Sequence, residues 1–331
     1  MRAVAIQDMG PNSRLVFVDR PDPAPAHDEL LVRVVATAAN RADLMQRTGH
    51  YPAPPGESEI LGLEMAGEVV ATGKACQRFD VGDVVCSLLA GGGFAQYVII
   101  PEVLAMAVPA GLDTIEAAAL PEVFMTAWQT LVWQAQLQAG ETALVHAGAS
   151  GVGTAAIQIA KNLLEARVLV TASTSKHELC LSLGACAAID YRAESFAERV
   201  GELSGGRGAN VIVDFMGASY LDANIRAAAQ DGRIVTLALM GGAAAERVNL
   251  GLFFRKRLKL QASTLRNRPL EHKTQLARDF ETHLTPAFAE RRLRPVIDRI
   301  LPWTKVEEAH DLLARNETRG KVVLVVDPDG A

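Results

Sequence analysis

The chain has 331 residues, of which 49% are hydrophobic and 21% are charged, and its formal net charge is −5. This is the balance of a globular protein with room for two domains, and it excludes a disordered or collagen-like chain. Because 33 basic residues stand against 38 acidic ones and no long basic run occurs, we expect no nucleic-acid partner and no membrane-surface role.

The apolar stretches are short and interrupted, so we expect no membrane span. The first ten residues, MRAVAIQDMG, lack the charged and apolar regions of a signal peptide. A chain of this size with four cysteines does not form a disulfide framework. We therefore expect a cytoplasmic protein with buried structural cysteines at Cys76, Cys86, Cys180 and Cys186.

The first third of the chain has the pattern of an all-β unit, with short β-branched or apolar runs between turns rich in proline and glycine. The predicted strands are residues 30–36, 67–72, 83–88 and 94–100. We place the end of this domain at residue 121, where the pattern changes.

Residues 122–264 alternate between apolar strands and amphipathic helices. The predicted strands are residues 142–146, 167–172, 187–190, 211–215, 233–239 and 258–263, and the predicted helices are residues 154–164, 176–183, 197–204 and 220–229. Six such alternations indicate an α/β domain with a doubly wound parallel sheet of the Rossmann type.

Residues 265–331 are too few to form a domain of their own. Their pattern predicts a helix at 272–289, an extended run at 293–301, a helix opened by a capping box of Thr304 and Glu307, and a final strand at 321–326. We expect this segment to return to the N-terminal domain and complete it, which makes that domain discontinuous.

A dinucleotide-binding fingerprint lies within residues 141–161. A buried strand runs into the turn GASGVG at residues 148–153 and then into a helix. Glycines at such a turn let backbone amides approach a pyrophosphate, and the strand before and helix after it distinguish the fingerprint from an ordinary turn. A serine stands where the second glycine is usual. The predicted cofactor ligands here are Gly148, Ser150, Gly151, Val152 and Gly153.

The second strand of this domain ends without the acidic residue that holds the ribose of NAD. The stretch VTASTSK at residues 170–176 offers hydroxyls and a lysine instead. These groups suit an anionic 2′-phosphate, so we predict NADP(H) with Ser173 and Lys176 among its ligands. For Lys176 alone, a solvated position in the first turn of its helix is the alternative.

A β-rich domain, a dinucleotide fold and a returning segment together resemble the medium-chain dehydrogenase/reductase superfamily. The sequence is similar to its quinone oxidoreductase branch, related to zeta-crystallin, and especially to the tumour-suppressor-induced quinone oxidoreductases. The resemblance covers essentially the whole chain. It is carried by residues 39–43 (ANRAD), 49–52 (GHYP), 60–64 (ILGLE), 146–153 (HAGASGVG) and 239–242 (LMGG).

This resemblance implies that the β-rich domain is GroES-like and that the cofactor lies between the two domains. It also implies a symmetric homodimer, built by continuing the Rossmann sheet through the strand at residues 258–263. An unpaired sheet edge invites such pairing.

The residues at the zinc positions of the superfamily point away from a metal. A catalytic zinc there needs a cysteine, a histidine and a further cysteine or acidic ligand. Asn40 stands at the first cysteine position, and Leu63 stands where zinc-dependent relatives have the histidine before Glu64. The structural-zinc lobe is missing as well. We therefore predict no metal, and the reduction of an electron-poor acceptor that needs no strong Lewis acid.

Two residues are assigned to the reaction by the resemblance. Asn40 would donate a hydrogen bond beside the nicotinamide ribose or the substrate carbonyl, and its alternative is a loop role on local backbone. Tyr51 would hydrogen-bond a quinone oxygen or stack on its ring, and its alternative is loop packing. Asp43 either caps the following helix or lies near the reacting atoms.

Further cofactor ligands are assigned by family position or by their place at the ends of predicted strands. Thr126 would contact the nicotinamide ribose or bond its own helix, the turn at residues 239–242 would approach the nicotinamide or be a simple turn, and Lys321 would reach a phosphate or be solvated. Together with Asn40, these predicted ligands are Thr126, Tyr191, Leu239, Met240, Gly241, Ser263, Thr264 and Lys321.

The predicted function is NADPH-dependent, zinc-independent reduction of a small quinone, preferably an ortho-quinone. Reduction of a 2-enal or an enoyl thioester, with the same fold and cofactor, is the alternative. From another class, the alternative is a non-enzymatic NADPH-binding redox sensor or crystallin-like protein.

Overall fold

The structure is a computed structural model that describes residues 1–327. It divides into two compact units: unit 1 comprises Met1–Met125 together with the chain from Leu265 onwards, and unit 2 comprises Thr126–Thr264. Within the described residues, no helix combines the length and the apolar character that crossing a bilayer requires.

The strands, in chain order, are β1 (Arg2–Gln7), β2 (Arg14–Asp19), β3 (Glu29–Ala39), β4 (Glu64–Thr72), β5 (Val84–Leu88), β6 (Tyr97–Pro101), β7 (Met106–Ala107), β8 (Thr142–Val145), β9 (Arg167–Thr171), β10 (Ala187–Ile189), β11 (Ala209–Asp214), β12 (Ala228–Thr236), β13 (Lys259–Ala262), β14 (Ile297–Pro302) and β15 (Lys321–Val325).

The α-helices are α1 (Arg41–Arg47), α2 (Thr114–Ala117), α3 (Pro121–Trp128), α4 (Gly151–Asn162), α5 (His177–Ser182), α6 (Phe196–Leu203), α7 (Ala218–Ala227), α8 (Leu250–Arg255), α9 (Leu270–Asp279), α10 (Thr285–Ala289) and α11 (Val306–Ala314). Short 3₁₀ turns occupy Glu102–Leu104, Thr174–Lys176 and Trp303–Lys305, and π-helical segments occupy Gln129–Gln134 and Phe280–Leu284.

Unit 1 is organised around β3, whose residues alternate between buried and half-buried positions along much of its length. This is the pattern of a strand with one face on a core. The main sheet has the order β14-β15-β3-β4-β5-β7, and β6 also pairs with β3. Strand β15 runs antiparallel to β3, with Val322 opposite Ala39. The C-terminal segment therefore supplies two strands of this sheet.

Unit 2 is a six-stranded parallel sheet in the order β10-β9-β8-β11-β12-β13. All four residues of β8 are buried, as expected for a parallel strand covered on both faces. The crossover helices α4 to α7 connect successive strands, so the order is that of a doubly wound dinucleotide-binding fold. The predicted α/β fold class is confirmed.

One capping prediction was wrong. Residue Lys305, rather than Thr304, precedes α11, and no side-chain cap bond is formed there. The Glu307 carboxylate instead accepts from the backbone amide of Leu15 at 2.6 Å and pairs with Arg47 at 2.8 Å. These partners are distant in sequence, and a pattern of adjacent residues does not show them.

The expectation of four buried cysteines was also partly wrong. Cys86 and Cys180 are buried, Cys76 is half-buried, and Cys186 is exposed. Cys186 directly precedes β10, a three-residue strand at the edge of the sheet. An edge strand leaves one side unpaired, which explains the exposure.

His310 is a buried titratable group on α11. Its Nδ1 lies 3.3 Å from Arg47 Nη1, and its ring packs against Phe94 with centroids 5.9 Å apart. Since Arg47 donates, Nδ1 accepts and the ring is neutral. Burial, with the nearby Arg47 charge, lowers the pKa of His310 to about 3.

This low pKa predicts a loss of stability in acid. When the pH is lowered from 7 to 5, the unfolded chain binds a proton at His310 and the folded chain does not. The free energy of unfolding therefore falls by about 2 kcal/mol over that interval because of this group. We expect His310→Gln to reduce the pH dependence of the unfolding free energy by that amount, as measured by urea titration. The control is His27→Gln on the surface. An unchanged pH dependence in His310→Gln would contradict the assignment.

Candidate active site

The glycine-rich turn of unit 2 leads from β8 into α4. Ser150 is the N-cap, and its Oγ accepts from the amide of Gly153 at 3.1 Å. A Cβ on Gly153 would lie 2.3 Å from the carbonyl oxygen of Ala147, and one on Gly148 would lie 2.7 Å from Cβ of Val170. Both positions therefore exclude side chains because the backbone segments approach closely.

This cradle fits a dinucleotide pyrophosphate. The first amides of an α-helix have no partner within the helix, and the Ser150 side chain engages only that of Gly153. The partial positive charge at the start of α4 favours an anion. The backbone is thus arranged as the fingerprint predicts, while the cofactor contacts themselves stay a prediction.

The other predicted ligands of unit 2 follow the ends of neighbouring strands. Because parallel strands all end at one edge of the sheet, the structure brings these residues to the edge where α4 begins. They are Ser173 and Lys176 after β9, Tyr191 after β10, Leu239, Met240 and Gly241 after β12, and Ser263 and Thr264 after β13. Thr126 belongs to α3, where its carbonyl oxygen accepts from the Thr130 hydroxyl at 2.7 Å.

An acidic residue that the sequence reasoning missed lies beside the predicted 2′-phosphate ligands. The hydroxyl of Thr174 donates to the carboxylate of Asp190, which follows β10. This hydrogen bond, together with one from the amide of Arg192, lowers the pKa of Asp190. In dinucleotide-binding folds the acidic residue that binds the ribose is expected at the end of the second strand, here β9. Asp190 follows β10 instead, so its spacing along the chain did not reveal it.

The turn at residues 239–242 packs against the loop after β11. Buried Asp214 ends β11 and accepts from the amides of Met216 and Gly217 at 2.8 and 3.0 Å. A Cβ on Gly241 would lie 1.9 Å from Ser219 Oγ and 2.9 Å from the backbone carbonyl oxygen of Met216. The glycine is therefore required by close packing, a reason that neither predicted alternative included. Asp214, which binds the backbone of this loop, is a second acidic residue that sequence reasoning missed.

In unit 1 a buried polar cluster joins β3, β4 and β15. The ammonium of Lys321 donates to Glu64 Oε1 at 2.7 Å, to Asn40 Oδ1 at 2.6 Å and to the carbonyl of Ala39 at 3.2 Å. Lys321 is 4% exposed and Glu64 is fully buried. The solvated alternative for Lys321 is wrong, and a phosphate contact would require the ammonium to leave these acceptors.

Asn40 is fixed by the same cluster. Its Nδ2 donates to Glu64 Oε1 at 3.0 Å and to the carbonyl of Ala38 at 3.1 Å, while its Oδ1 accepts from Lys321. Both amide hydrogens are therefore used inside unit 1. The predicted hydrogen bond from Asn40 to a substrate requires one of these two bonds to break.

Two further carboxyl groups surround the cluster. Asp43 Oδ2 accepts from the amide of Asn40 at 2.7 Å, so Asp43 caps α1, and burial raises its pKa to about 6. The amide of Glu122 donates to Glu64 Oε2 at 2.9 Å. Burial and the charge of Glu64 raise the pKa of Glu122 to about 8, so at neutral pH Glu122 is mostly protonated.

This donor set does not fit a catalytic zinc. The two ligand positions assigned by the resemblance hold an amide, Asn40, and a buried leucine, Leu63, and the neighbouring Glu64 is already paired with the ammonium of Lys321. Zinc requires nitrogen, sulfur or carboxylate donors in a tetrahedron. Within residues 1–327, no group of three or more histidines, cysteines or acids is placed to hold a metal ion.

Tyr51 is half-buried and its backbone is held by Arg266. The guanidinium carbon lies 5.4 Å from the centroid of the Tyr51 ring, and Nη1 donates to the Tyr51 carbonyl at 3.1 Å. Burial and the neighbouring Glu122 raise the pKa of Tyr51. Its hydroxyl is therefore protonated at neutral pH and can donate to an acceptor oxygen.

Family profiles match both parts of the chain. The profile "Alcohol dehydrogenase GroES-like domain" matches residues 26–110, and "Zinc-binding dehydrogenase" matches residues 151–282. Among curated proteins, the human synaptic vesicle membrane protein VAT-1 homolog is 29% identical over 99% of this chain and 87% of that protein. A quinone oxidoreductase of Lama guanicoe is 29% identical, with 98% of each protein covered.

Solved structures share the fold over nearly the whole chain. An NAD-dependent alcohol dehydrogenase matches with a TM-score of 0.87 and 32% identity, covering 99% of this chain and all of that one. A mycobacterial protein complexed with NADPH matches at 0.85 and 30%, and the JamJ enoyl reductase at 0.86 and 25%, each covering 98% of this chain and 99% of the other.

The chain belongs to the medium-chain dehydrogenase/reductase superfamily. Within that superfamily, its similarities and the residues at the zinc positions fit the zinc-free quinone oxidoreductase-like branch. Members of the superfamily bind a nicotinamide cofactor, and the protein is an oxidoreductase.

The buried ion pair predicts a large and specific loss of stability. In Lys321→Met the Glu64 carboxylate stays buried without its cation, and we expect unfolding free energy to fall by about 3–5 kcal/mol in denaturant titrations. The double variant Glu64→Gln/Lys321→Met should be more stable than Lys321→Met alone. As a control, Arg257→Met breaks the exposed pair with Asp231 and should change stability by about 1 kcal/mol or less. Equal losses of stability in Lys321→Met and in the double variant would contradict the energetic coupling of Lys321 with Glu64.

Proposed function

We propose that this protein is an NADPH-dependent quinone oxidoreductase that works without a metal. The observation that carries the proposal is the ammonium of Lys321, which lies between Asn40 and Glu64 and donates to the side-chain oxygens of both. These side chains do not form a set of metal ligands, so they provide no Lewis acid to polarise an alcohol or a simple carbonyl. An acceptor that takes hydride readily, such as a quinone, suits a site that positions the reactants and donates a proton.

The residues of unit 2 bind and orient the cofactor in this proposal. The amides at the start of α4 hold the pyrophosphate, and Lys176 and Ser173 contact the 2′-phosphate. A bound nicotinamide supplies the hydride. The likeness to a mycobacterial protein complexed with NADPH supports this choice of cofactor. The Asp190 carboxylate beside Thr174 is an argument against NADPH, since its negative charge repels the 2′-phosphate.

The residues of unit 1 act on the acceptor. The Tyr51 hydroxyl is protonated at neutral pH, and it donates a hydrogen bond to an oxygen that gains negative charge as hydride arrives. Asn40 is held in one orientation by Lys321 and Glu64, so that its position relative to the acceptor is fixed. The similarity to a quinone oxidoreductase over the full length supports this acceptor class.

A second candidate function is the reduction of an enoyl thioester. It is favoured by the likeness to the JamJ enoyl reductase, which extends over 98% of this chain. The residues that position the cofactor would be the same, and Tyr51 would protonate the reduced substrate. The two functions differ in the acceptor alone.

The first test measures NADPH oxidation by metal-chelated protein with 1,2-naphthoquinone and, in parallel, with crotonyl-coenzyme A. We expect quinone-dependent turnover that is faster with NADPH than with NADH and unchanged by the chelator. Turnover with the thioester alone would assign the second candidate function. Binding of NADPH without oxidation by either acceptor would refute both and favour a redox-sensing role.

The variant Lys176→Met separates the cofactor choice from the acceptor choice. Loss of the charge should raise KM for NADPH about tenfold, with KM for NADH nearly unchanged, because only NADPH carries the 2′-phosphate. The matched control is Lys74→Met, which removes an exposed lysine of unit 1. Equal effects on the two cofactors would refute the assignment of Lys176.

We further propose that the protein is a homodimer that pairs through β13. This strand is the edge of the unit 2 sheet, and an unpaired edge offers backbone groups to a second copy. Apolar side chains on and near this edge are exposed to solvent: Phe254 is 82% exposed and Leu250 is 71% exposed, and Leu260 lies on β13 itself. Covering them in a dimer would remove apolar surface from water.

Light scattering coupled to size-exclusion chromatography tests this assembly. We expect about twice the chain mass of 35.3 kDa for the unchanged protein and the chain mass for Leu260→Lys, because a buried charge without a partner opposes association. The control is Ile300→Lys on β14, an exposed position at an edge of the other sheet. A monomer in the unchanged protein would refute the dimer.

A further inference from the structure

Unit 1 holds two cationic side chains that are almost buried and that form no ion pair within residues 1–327. Arg266 is 4% exposed and Lys273 is 7% exposed. Among the described residues, neither takes part in an ion pair, and Arg266 Nη2 is fully buried without a hydrogen-bond partner. Buried cations are normally paired, so two such groups together require an explanation.

The position of Arg266 is fixed by its other two nitrogens. Its Nε donates to the Ala90 carbonyl at 2.6 Å, and its Nη1 donates to the Tyr51 carbonyl at 3.1 Å. The guanidinium also lies 5.4 Å from the centre of the Tyr51 ring. The third nitrogen therefore remains as a preorganised donor beside the residue assigned to the acceptor.

Lys273 lies close enough to Arg266 for their charges to interact. It is on the first turns of α9, and burial together with the charge of Arg266 lowers its pKa. The carboxyl groups that also act on Lys273 are Glu57 and Glu122. Glu57 is exposed, and Glu122 is mostly protonated at neutral pH. Asp43, whose pKa of about 6 leaves it mainly ionised at pH 7, also acts on Arg266. Carboxylates therefore offset the two cations without forming an ion pair with either of them within residues 1–327.

We propose that Arg266 and Lys273 form a subsite for an anionic group of the acceptor, a carboxylate or the equivalent sulfonate. Arg266 Nη2 and the ammonium of Lys273 would donate charge-assisted hydrogen bonds to its oxygens while the acceptor ring contacts Tyr51. The acceptor is then an aromatic quinone or enone that carries an acidic substituent. The inference rests on the proposed function only in placing the acceptor at Tyr51.

The first arm of the test is equilibrium binding, which does not depend on turnover. The probes are 2-naphthoate and its neutral amide, measured by isothermal titration calorimetry with the full chain. We expect the unchanged protein to prefer the carboxylate, and Lys273→Met to weaken carboxylate binding about tenfold or more with little effect on the amide. Lys273→Arg should restore binding to within about threefold, and Lys74→Met should leave it unchanged.

The second arm compares 1,2-naphthoquinone with 1,2-naphthoquinone-4-sulfonate as acceptors. Lys273→Met should lower kcat/KM about tenfold for the sulfonate and less than twofold for the neutral quinone, with KM for NADPH unchanged. Equal losses for both quinones would overturn the subsite. A rise in KM for NADPH alone would also overturn it and assign the cations to a cofactor phosphate.

Thermal unfolding of Lys273→Met distinguishes a loss of anion binding from a loss of folding stability. Lys273 has no ion pair in the described residues, so replacing it by methionine of similar length should leave the melting temperature equal or higher.

Carboxylate-selective binding without turnover of either quinone would keep the subsite and refute quinone reduction. Quinone turnover with equal binding of both probes would keep the proposed function and refute the subsite.

Discussion

A single buried ion pair, between Lys321 and Glu64, determines how the candidate site of unit 1 is arranged. The ammonium is removed from water, so all three of its hydrogens must find acceptors within the protein, and they find Glu64, Asn40 and the carbonyl of Ala39. The remaining oxygen of Glu64 accepts from the amide of Glu122. Because every member satisfies another, the network fixes the orientation of Asn40 and the electrostatic environment of the neighbouring carboxyl groups.

The architecture was largely predictable because its signals are local. Strand-length apolar runs alternating with amphipathic helices indicated the parallel sheet, and most predicted strand ends lie within a few residues of the observed ones. The hairpin β1–β2 was missed because many of its residues are only half-buried, which weakens the alternation. The capping box at Thr304 was wrong because Glu307 pairs with Arg47, a contact between distant parts of the chain.

The candidate site was predictable to a smaller extent, and the reason is again sequence distance. The turn at residues 148–153 is contiguous, so the close approaches at Gly148 and Gly153 leave a signature in adjacent residues. Asp190 beside Thr174, and Arg266 beside Tyr51, are juxtapositions of separate segments with no such signature. Lys321 was singled out because it precedes the final predicted strand, but its partner Glu64 becomes apparent only when β15 is placed next to β3.

The pairing of β15 with β3 also has a consequence for the order of events during synthesis. Strands β3 and β4, with Glu64, leave the ribosome before unit 2, whereas Lys321 emerges only after the whole of unit 2 has been synthesised. Until then the buried place of the ammonium is empty, and Glu64 and Asn40 lack the partner that fixes them. The sheet of unit 2 is complete by residue 262. The complete cofactor-binding fold of unit 2 is therefore synthesised before β15 can join the sheet of unit 1. A chain truncated before Lys321 would contain the whole of unit 2 but would lack the ion pair that orders the candidate acceptor site.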